Sequence, residues 1–238
     1  MNRTVTAASR PLDFLTPRAS LPRYPGTADQ CASNRAAEQA ALYELSRVIA
    51  EDPQRSLRRL LEISLGLCNA GSAGISLLKH DAAGEAVVHW NAVSGALAAR
   101  ERNETPRHLS PCGLCLDLGA TILLLRPERV FDSLSETDPP IVQMLIVPLY
   151  DVDRRQLGTL WIAHHDSTAC CTDEDARILE QLAIHLVLAL RLLDYEREEH
   201  RRYDQAEAEL RQASTSKDVR IRELLQELRS SQAQSLSL

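Results

Sequence analysis

The segment from Thr105 to Gly119, TPRHLSPCGLCLDLG, concentrates side chains that could do chemistry. Within it, Cys112 and Cys115 follow a Ser-Pro pair, which is typical of the start of a helix. There, unpaired N–H groups and the helix dipole would lower the pKa of a cysteine and favour its thiolate. Two cysteines at this spacing could form a disulfide, bind a metal, or serve as small apolar residues in a pocket wall. The sequence leaves all three open.

Further polar and aromatic residues could join the two thiols in a binding site. Arg107 and His108 could place a cation and a hydrogen-bond donor over a pocket that holds an anionic or polar ligand. Trp90, on a predicted strand, could form a wall of that pocket, and His164 lies near the end of another predicted strand. The predicted ligand-binding residues are therefore Cys112, Cys115, His108, Arg107, Trp90 and His164.

Metal chemistry and most enzyme classes find little support in the sequence. A structural metal site usually combines two pairs of ligands, and the adjacent Cys170 and Cys171 make a poor pair because neighbouring residues seldom direct both sulfurs inward. The motifs GxxxxGK[ST], GxGxxG, GxSxG and HExxH are absent. We predict no metal site and no catalysis, and the sequence identifies no cofactor. A thiol-based redox enzyme that uses Cys112 and Cys115 stays open as an alternative.

Composition predicts a cytoplasmic globular protein. The 238 residues carry a net charge of -6, which gives no general attraction to nucleic acid or anionic lipid. No run approaches the roughly 18 apolar residues of a membrane span, and the first residues lack the apolar core of a secretion signal. The six cysteines are irregularly spaced, which is typical of a reducing compartment.

Periodicity predicts helices at both ends and two hairpins between them. Residues 1–34, rich in proline, are predicted to be a flexible leader, and a pair of helices follows. The predicted hairpins join strands 73–80 with 85–93 and 141–152 with 156–166, and 121–125 is a further short strand. Simple alternation in the second strand places Val88, Trp90 and Ala92 on one face.

The C-terminal region is predicted to be one long helix. Thr172 with the acids that follow it is a helix-capping signature. One heptad phase then runs from Leu179 to Leu228, with Leu182, Leu186 and Ala189 among its early positions, and predicts a coiled coil. The alternatives are a helix that folds back on its own domain, or two helices joined by a loop at 214–217.

Taken together, these segments resemble a GAF domain over about residues 36–195. The resemblance is carried by GSAGISLL (71–78), TPRHLSPCGLCLD (105–117), PPIVQMLIVPLY (139–150) and LGTLWIAHHDSTACCTDEDARILEQLA (157–183). They are similar to the GAF subfamily found ahead of PAS domains and histidine kinases in bacterial sensors. Glycine follows Cys112, which is unlike bilin-binding members, and the NKFDE pattern of cyclic-nucleotide-binding members is absent.

The resemblance implies an α+β fold and a sensory function. The fold would be an antiparallel sheet with terminal helices on one face and a ligand pocket on the other, covering residues 35–195. Residues 196–238 would form a signalling helix. The implied protein is a non-catalytic homodimer that binds a small ligand, or responds to redox state, and signals to a histidine kinase or regulator, since a kinase region is not present here. A ligand-free dimeric scaffold is the other alternative.

Overall fold

A computed structural model describes residues 14–23 and 28–235 of the chain and shows an α+β fold around one antiparallel sheet. Within these residues the sheet has seven strands in the order β1-β5-β6-β7-β2-β3-β4. The strands are β1 (Leu15–Pro17), β2 (Ser72–His80), β3 (Ala86–Gly95), β4 (Glu104–Pro106), β5 (Ile122–Leu125), β6 (Gln143–Tyr150) and β7 (Gln156–His164). The α-helices are α1 (Ala28–Glu51), α2 (Pro53–Leu67), α3 (Pro111–Leu118) and α4 (Asp173–Ser235).

Both predicted hairpins are confirmed, and their turns share one construction. Asp81 opens the β2–β3 turn and Asp151 opens the β6–β7 turn. In each, the aspartate Oδ1 accepts the backbone N–H groups two and four residues later, at 2.8–2.9 Å. The fourth residue of each turn has a positive φ, at Gly84 and Arg154. These local bonds close each hairpin, and β7 then pairs with β2 to join the two hairpins into one sheet.

The predicted leader contributes to the sheet, which corrects the expectation for part of it. Leu15–Pro17 pairs with β5, the Arg18 N–H donates to the Thr121 carbonyl at 3.2 Å, and α1 already begins at Ala28. A three-residue edge strand has too few positions to show a period of two, so no local pattern predicts it. Residues 1–13 and 24–27 lie outside the described part of the chain.

A β-bulge changes the face to which part of β3 points. Trp90 pairs with Ser76, whereas Ala92 pairs with Ile75, so Asn91 is an extra residue with no partner on β2. Ala92 therefore lies on the opposite face from Trp90, and the prediction that both share a face with Val88 is wrong beyond the bulge. Val93 packs with Val88 and Trp90 instead.

The two faces of the sheet carry different helices. α3 packs on β6 and β7, and its Cys112 and Cys115 join a buried cluster with Trp161 of β7. α2 packs against β2 and β3. Leu160 and Ile162 alternate with Trp161 along β7 and are absent from that cluster, so they point to the face away from α3.

The first heptad positions of the coiled coil predicted for α4, which we call its seam, are buried within the domain. The chain divides into two compact units after Leu190. Leu179, Leu182, Leu186 and Ala189 are all buried in the single chain, so these positions are not free to meet a second copy. Over this stretch the helix folds back on its own domain. The helix also continues through 214–217 without a loop, while a coiled coil beyond residue 195 stays a prediction.

Gly74 of β2 leaves the space that Trp161 fills. A Cβ on Gly74 would lie 2.1 Å from Cζ2 of the rigid, buried Trp161 ring. We expect Gly74→Ala to lower the free energy of unfolding by about 1–3 kcal/mol, measured by urea denaturation. Gly66→Ala in α2 is the matched control, because its Cβ meets nothing within 4 Å, and it should raise stability by about 0.5–1 kcal/mol. Equal effects of the two substitutions would contradict this packing.

Candidate ligand-binding site

The face of the sheet beneath α3 is filled by two tryptophans, the only two in the chain. The ring centroids of Trp90 and Trp161 lie 5.0 Å apart, with the planes tilted by 54°. Trp161 is fully buried, and its Nε1–H donates to the Ser76 hydroxyl at 2.9 Å. The hydrogen bond satisfies the one polar atom of the indole, so the ring stays in the interior at little polar cost.

The segment 105–119 forms the helix start that its sequence predicts. Ser110 is the N-cap of α3 and accepts the Gly113 N–H at 2.9 Å, with Pro111 at the first helical position. Gly113 is required here because a Cβ would lie 1.8 Å from the carbonyl oxygen of Arg107. This close approach folds the 3₁₀ turn at 107–109 against α3 and fixes the direction in which the helix leaves it.

Burial makes the two thiols less acidic than the sequence predicted. Cys112 and Cys115 are both buried, and loss of solvent raises the pKa of each thiol. The hydroxyls of Thr159 and Ser76 offset part of the rise at Cys112. The Cys115 thiol lies 3.4 Å from the Ala120 carbonyl and 3.7 Å from that of Ile146, both acceptors for its proton. The desolvation of a thiolate thus outweighs the helix dipole, and the predicted lowering of the pKa is wrong.

Arg107 is engaged in an ion pair that fastens α3 to the sheet. Its Nη2 lies 2.6 Å from Asp117 Oδ1 and 3.1 Å from Gln156 Oε1. Gln156 in turn donates from Nε2 to the Leu116 carbonyl at 2.8 Å. The guanidinium therefore bonds to α3 and β7 in this structure, and its hydrogen-bonding capacity toward a ligand is reduced.

His108 lines a cleft of about 460 Å³ that we call the lid cleft. The lid cleft lies beside the buried cluster that contains the two tryptophans. Its wall contains two carboxylates, Glu104 and Asp132. Glu104 also lies 3.2 Å from Nδ1 of His89. Phe131 forms part of the lining and is buried in the same cluster as Trp90 and Cys112. The lid cleft is lined by Glu104, Thr105, Pro106, His108, Leu109, Val130, Phe131, Asp132 and Ser133.

The six predicted ligand-binding residues lie in three different parts of the structure. Trp90, Cys112 and Cys115 pack together in the interior, while His108 and Arg107 lie in the turn before α3. His164 follows the alternation of Leu160 and Ile162 and lines another cleft, together with Cys68 and Asp175. Sequence reasoning did not identify Phe131 or Asp132, because short 3₁₀ turns carry no periodic signal.

Among residues 14–23 and 28–235, no three His, Cys, Asp or Glu side chains come together in a way that could hold a metal ion. No helix in that part of the chain is both long enough and apolar enough to cross a membrane.

A sequence profile described as "GAF domain" matches residues 50–191. The chain belongs to the GAF family. GAF domains are generally sensory modules that bind small molecules, although some members are enzymes. No curated protein matches this GAF protein in sequence.

Solved GAF structures share the fold at low sequence identity. Free methionine-R-sulfoxide reductase from Neisseria meningitidis aligns with a TM-score of 0.54 and 19% identity, over 71% of this chain and 95% of that one. The GAF domain of a putative sensor histidine kinase from Pseudomonas syringae pv. tomato aligns at 0.50 and 20%, over 74% and 99%. The GAF domain of a Coxiella burnetii phosphoenolpyruvate-protein phosphotransferase aligns at 0.54 and 16%, over 68% and 96%.

Substitution of two neighbouring hydroxyl residues, Ser76 and Thr159, tests which hydrogen bonds stabilise the interior. Ser76→Ala removes the acceptor of the buried Trp161 N–H and should lower the free energy of unfolding by about 1–3 kcal/mol. Thr159 is also buried. Among the described residues its Oγ1 makes no hydrogen bond of good geometry, although it lies near the Cys112 thiol. Thr159→Val should therefore be neutral or slightly stabilising. Urea denaturation of both variants measures the change in the free energy of unfolding. A larger loss of stability for Thr159→Val than for Ser76→Ala would contradict this prediction.

Proposed function

We propose that this GAF protein is a non-catalytic sensor that binds a small molecule in the lid cleft and signals through α4. The observation that carries the proposal is the position of Phe131, which lines the lid cleft and packs in the same buried cluster as Trp90 and Cys112. A ligand that moves Phe131 would therefore disturb the tryptophan core directly. Behind Phe131 lie Cys112, Cys115 and Trp90, in the buried cluster. His108, which is part of the lining of the lid cleft, contacts the ligand.

The charges of the lid cleft favour a cationic ligand over an anionic one. Glu104 and Asp132 both line it, and the cation expected from Arg107 is paired with Asp117. The rest of the lining includes apolar side chains, among them Pro106, Leu109 and Val130. A small amine with an aromatic or aliphatic body matches this combination, because the ammonium group could pair with the carboxylates while the body contacts the apolar wall.

The environment of the thiols supports sensing over thiol catalysis. A cysteine nucleophile reacts as the thiolate and needs access to its substrate. Cys112 and Cys115 are buried, and burial raises the pKa of both. A redox enzyme that uses these two cysteines would need the interior to open first, and the same holds for a redox sensor based on them.

The connection from β7 to α4 offers a direct route for the signal. Trp161 lies on β7, and α4 begins at Asp173, only nine residues after the end of that strand. Like the subfamily that precedes PAS domains and histidine kinases, the chain would pass its signal along this helix to a kinase or regulator. The similarity to the GAF domain of the putative sensor kinase concerns the fold.

A pair of compounds of opposite charge tests the ligand class. 2-Phenylethylamine should raise the melting temperature, by about 2–4 °C for each kcal/mol of binding, and phenylacetate should not. The amine should also change the emission of Trp90 and Trp161, since their packing includes Phe131. Ser133→Phe narrows the lid cleft and should abolish both effects.

Ser167→Phe is the matched control, because Ser167 is exposed and does not line the lid cleft. It should respond to the amine like the wild type. A response to phenylacetate alone would reject the cationic ligand. No response to either compound, together with no small molecule bound in native mass spectrometry of freshly purified protein, would favour the ligand-free scaffold.

We also propose that the protein dimerises through the exposed face of α4 rather than its buried seam. Ile184 and Leu188 are 71% and 52% exposed. They lie on the part of α4 that borders an apolar groove of about 440 Å³, whose lining includes Val147 and Val187. Large apolar side chains left in water at neighbouring helical positions are typical of a contact surface.

Ile184→Glu should weaken the dimer at least about tenfold, because it would bring a charge into the apolar contact. Sedimentation velocity over a range of protein concentrations measures the change. Ala82→Glu adds the same charge at the exposed β2–β3 turn and should leave the dimer unchanged. A dimer that tolerates Ile184→Glu equally well is held together elsewhere.

A further inference from the structure

A second cleft, of about 550 Å³, lies at the end of β7 on the face of the sheet away from Trp161. We call it the thiol cleft. It is formed where α2 ends and α4 begins, and none of its residues belongs to the lid cleft. Its lining includes Pro22, Leu67, Cys68, His164, Cys170 and Asp175.

His164 lines the thiol cleft and carries a polar atom that the fold leaves unused. The residue is 5% exposed, and its Nε2 is buried without a hydrogen-bond partner among the described residues. Such an atom loses its bonds to water and gains nothing in return, so a bound molecule that pairs with it recovers that loss. Burial lowers the pKa of His164, an effect that Asp175 opposes and His165 increases, and the net lowering favours the neutral ring.

Cys170 is the accessible thiol of this cleft. It is exposed, and its Sγ lies 3.6 Å from the carbonyl oxygen of Cys171. Cys68, in the same lining, and the adjacent Cys171 are both buried, and burial raises the pKa of each thiol. A reagent that enters the cleft therefore meets the sulfur of Cys170 first.

The size and lining of the thiol cleft indicate an organic molecule rather than a peroxide. Its volume is in the range of small-molecule sites, well above what hydrogen peroxide needs. Pro22, Leu67 and Ala169 provide an apolar surface for a carbon skeleton. A thiol and an imidazole in one cleft of mixed polar and apolar lining match an electrophilic carbon, since sulfur attacks the carbon and the imidazole can take up the thiol proton.

We propose that the thiol cleft is a covalent modification site at which Cys170 captures an α,β-unsaturated carbonyl compound, with His164 as the proton acceptor. The S–H bond of Cys170 breaks, and its proton moves to Nε2 of His164. The sulfur forms a bond to the β-carbon, and the π electrons of the C=C bond move to give the enolate. The enolate takes the proton back from the imidazolium at its α-carbon, which leaves a thioether and a neutral histidine, with no net oxidation.

The position of Cys170 connects this modification to α4. Thr172, two residues later, donates from both N and Oγ1 to Oδ2 of Asp175 at 2.7 Å, and its own Oγ1 accepts the Asp175 N–H at 3.3 Å. These reciprocal bonds cap the start of the helix. An adduct on Cys170 would lie beside this cap, so it would act on the same helix as the lid cleft but from the other face of the sheet.

Reaction with 2-cyclohexen-1-one tests the proposal on the full chain. Intact-mass measurements should give one adduct whose rate saturates with enone concentration, and peptide mapping should place it on Cys170. Cys170→Ser should lose it. His164→Gln should react at least about tenfold more slowly because it removes the proton acceptor. His80→Gln is the matched control and should keep the wild-type rate, since His80 is exposed at the end of β2 and does not line the thiol cleft.

A second measurement needs no substitution. Cyclohexanone has a similar shape but no electrophilic carbon–carbon double bond, so it should compete for the thiol cleft and slow the adduct on the wild type. A rate that rises linearly with enone and ignores cyclohexanone would overturn the proposal, as would a first adduct on any other cysteine. Equal rates in folded His164→Gln and wild type would reject the role of His164.

Discussion

The hydrogen bond from the Trp161 indole to Ser76 holds the largest side chain of the interior in place, and much of the domain is arranged around it. Gly74 provides the space for the ring, and Trp90 packs beside it at 5.0 Å. Because the indole occupies the face beneath α3, that face contains packed side chains. The proposed function therefore places the small molecule in the lid cleft, whose Phe131 packs in the same buried cluster.

Burial against this core also decides the chemistry of α3. The N-cap Ser110 and the position of Cys112 in the first turn are what an activated cysteine needs. The helix dipole is worth at most about 2 kcal/mol, whereas desolvation of a buried charge is larger. Burial therefore raises the pKa of both thiols, and the two cysteines pack in the same buried cluster as Trp90.

The sheet separates two clefts of different character. On one side, carboxylates and apolar side chains line the lid cleft, which suits a reversible amine ligand. On the other, Cys170 lines the thiol cleft together with His164, whose Nε2 has no partner among the described residues, and this pair suits a carbon electrophile. Strand alternation makes this separation possible, because neighbouring residues of one strand contribute to opposite faces. Trp161 and His164, three residues apart on β7, thus point to opposite faces of the sheet.

By itself, the sequence determined the features that depend on neighbours along the chain. The two hairpins, the Ser110 cap of α3 and the acidic start of α4 follow from short polar patterns whose bonds close within a few residues. Only the tertiary structure decided the pairing of Leu15–Pro17 with β5 and the bulge that turns Ala92 away from Trp90. It also decided the burial of the heptad positions that begin at Leu179, and the face of the sheet on which His164 lies. These depend on contacts between residues far apart in sequence, and a short period along the chain carries no information about them.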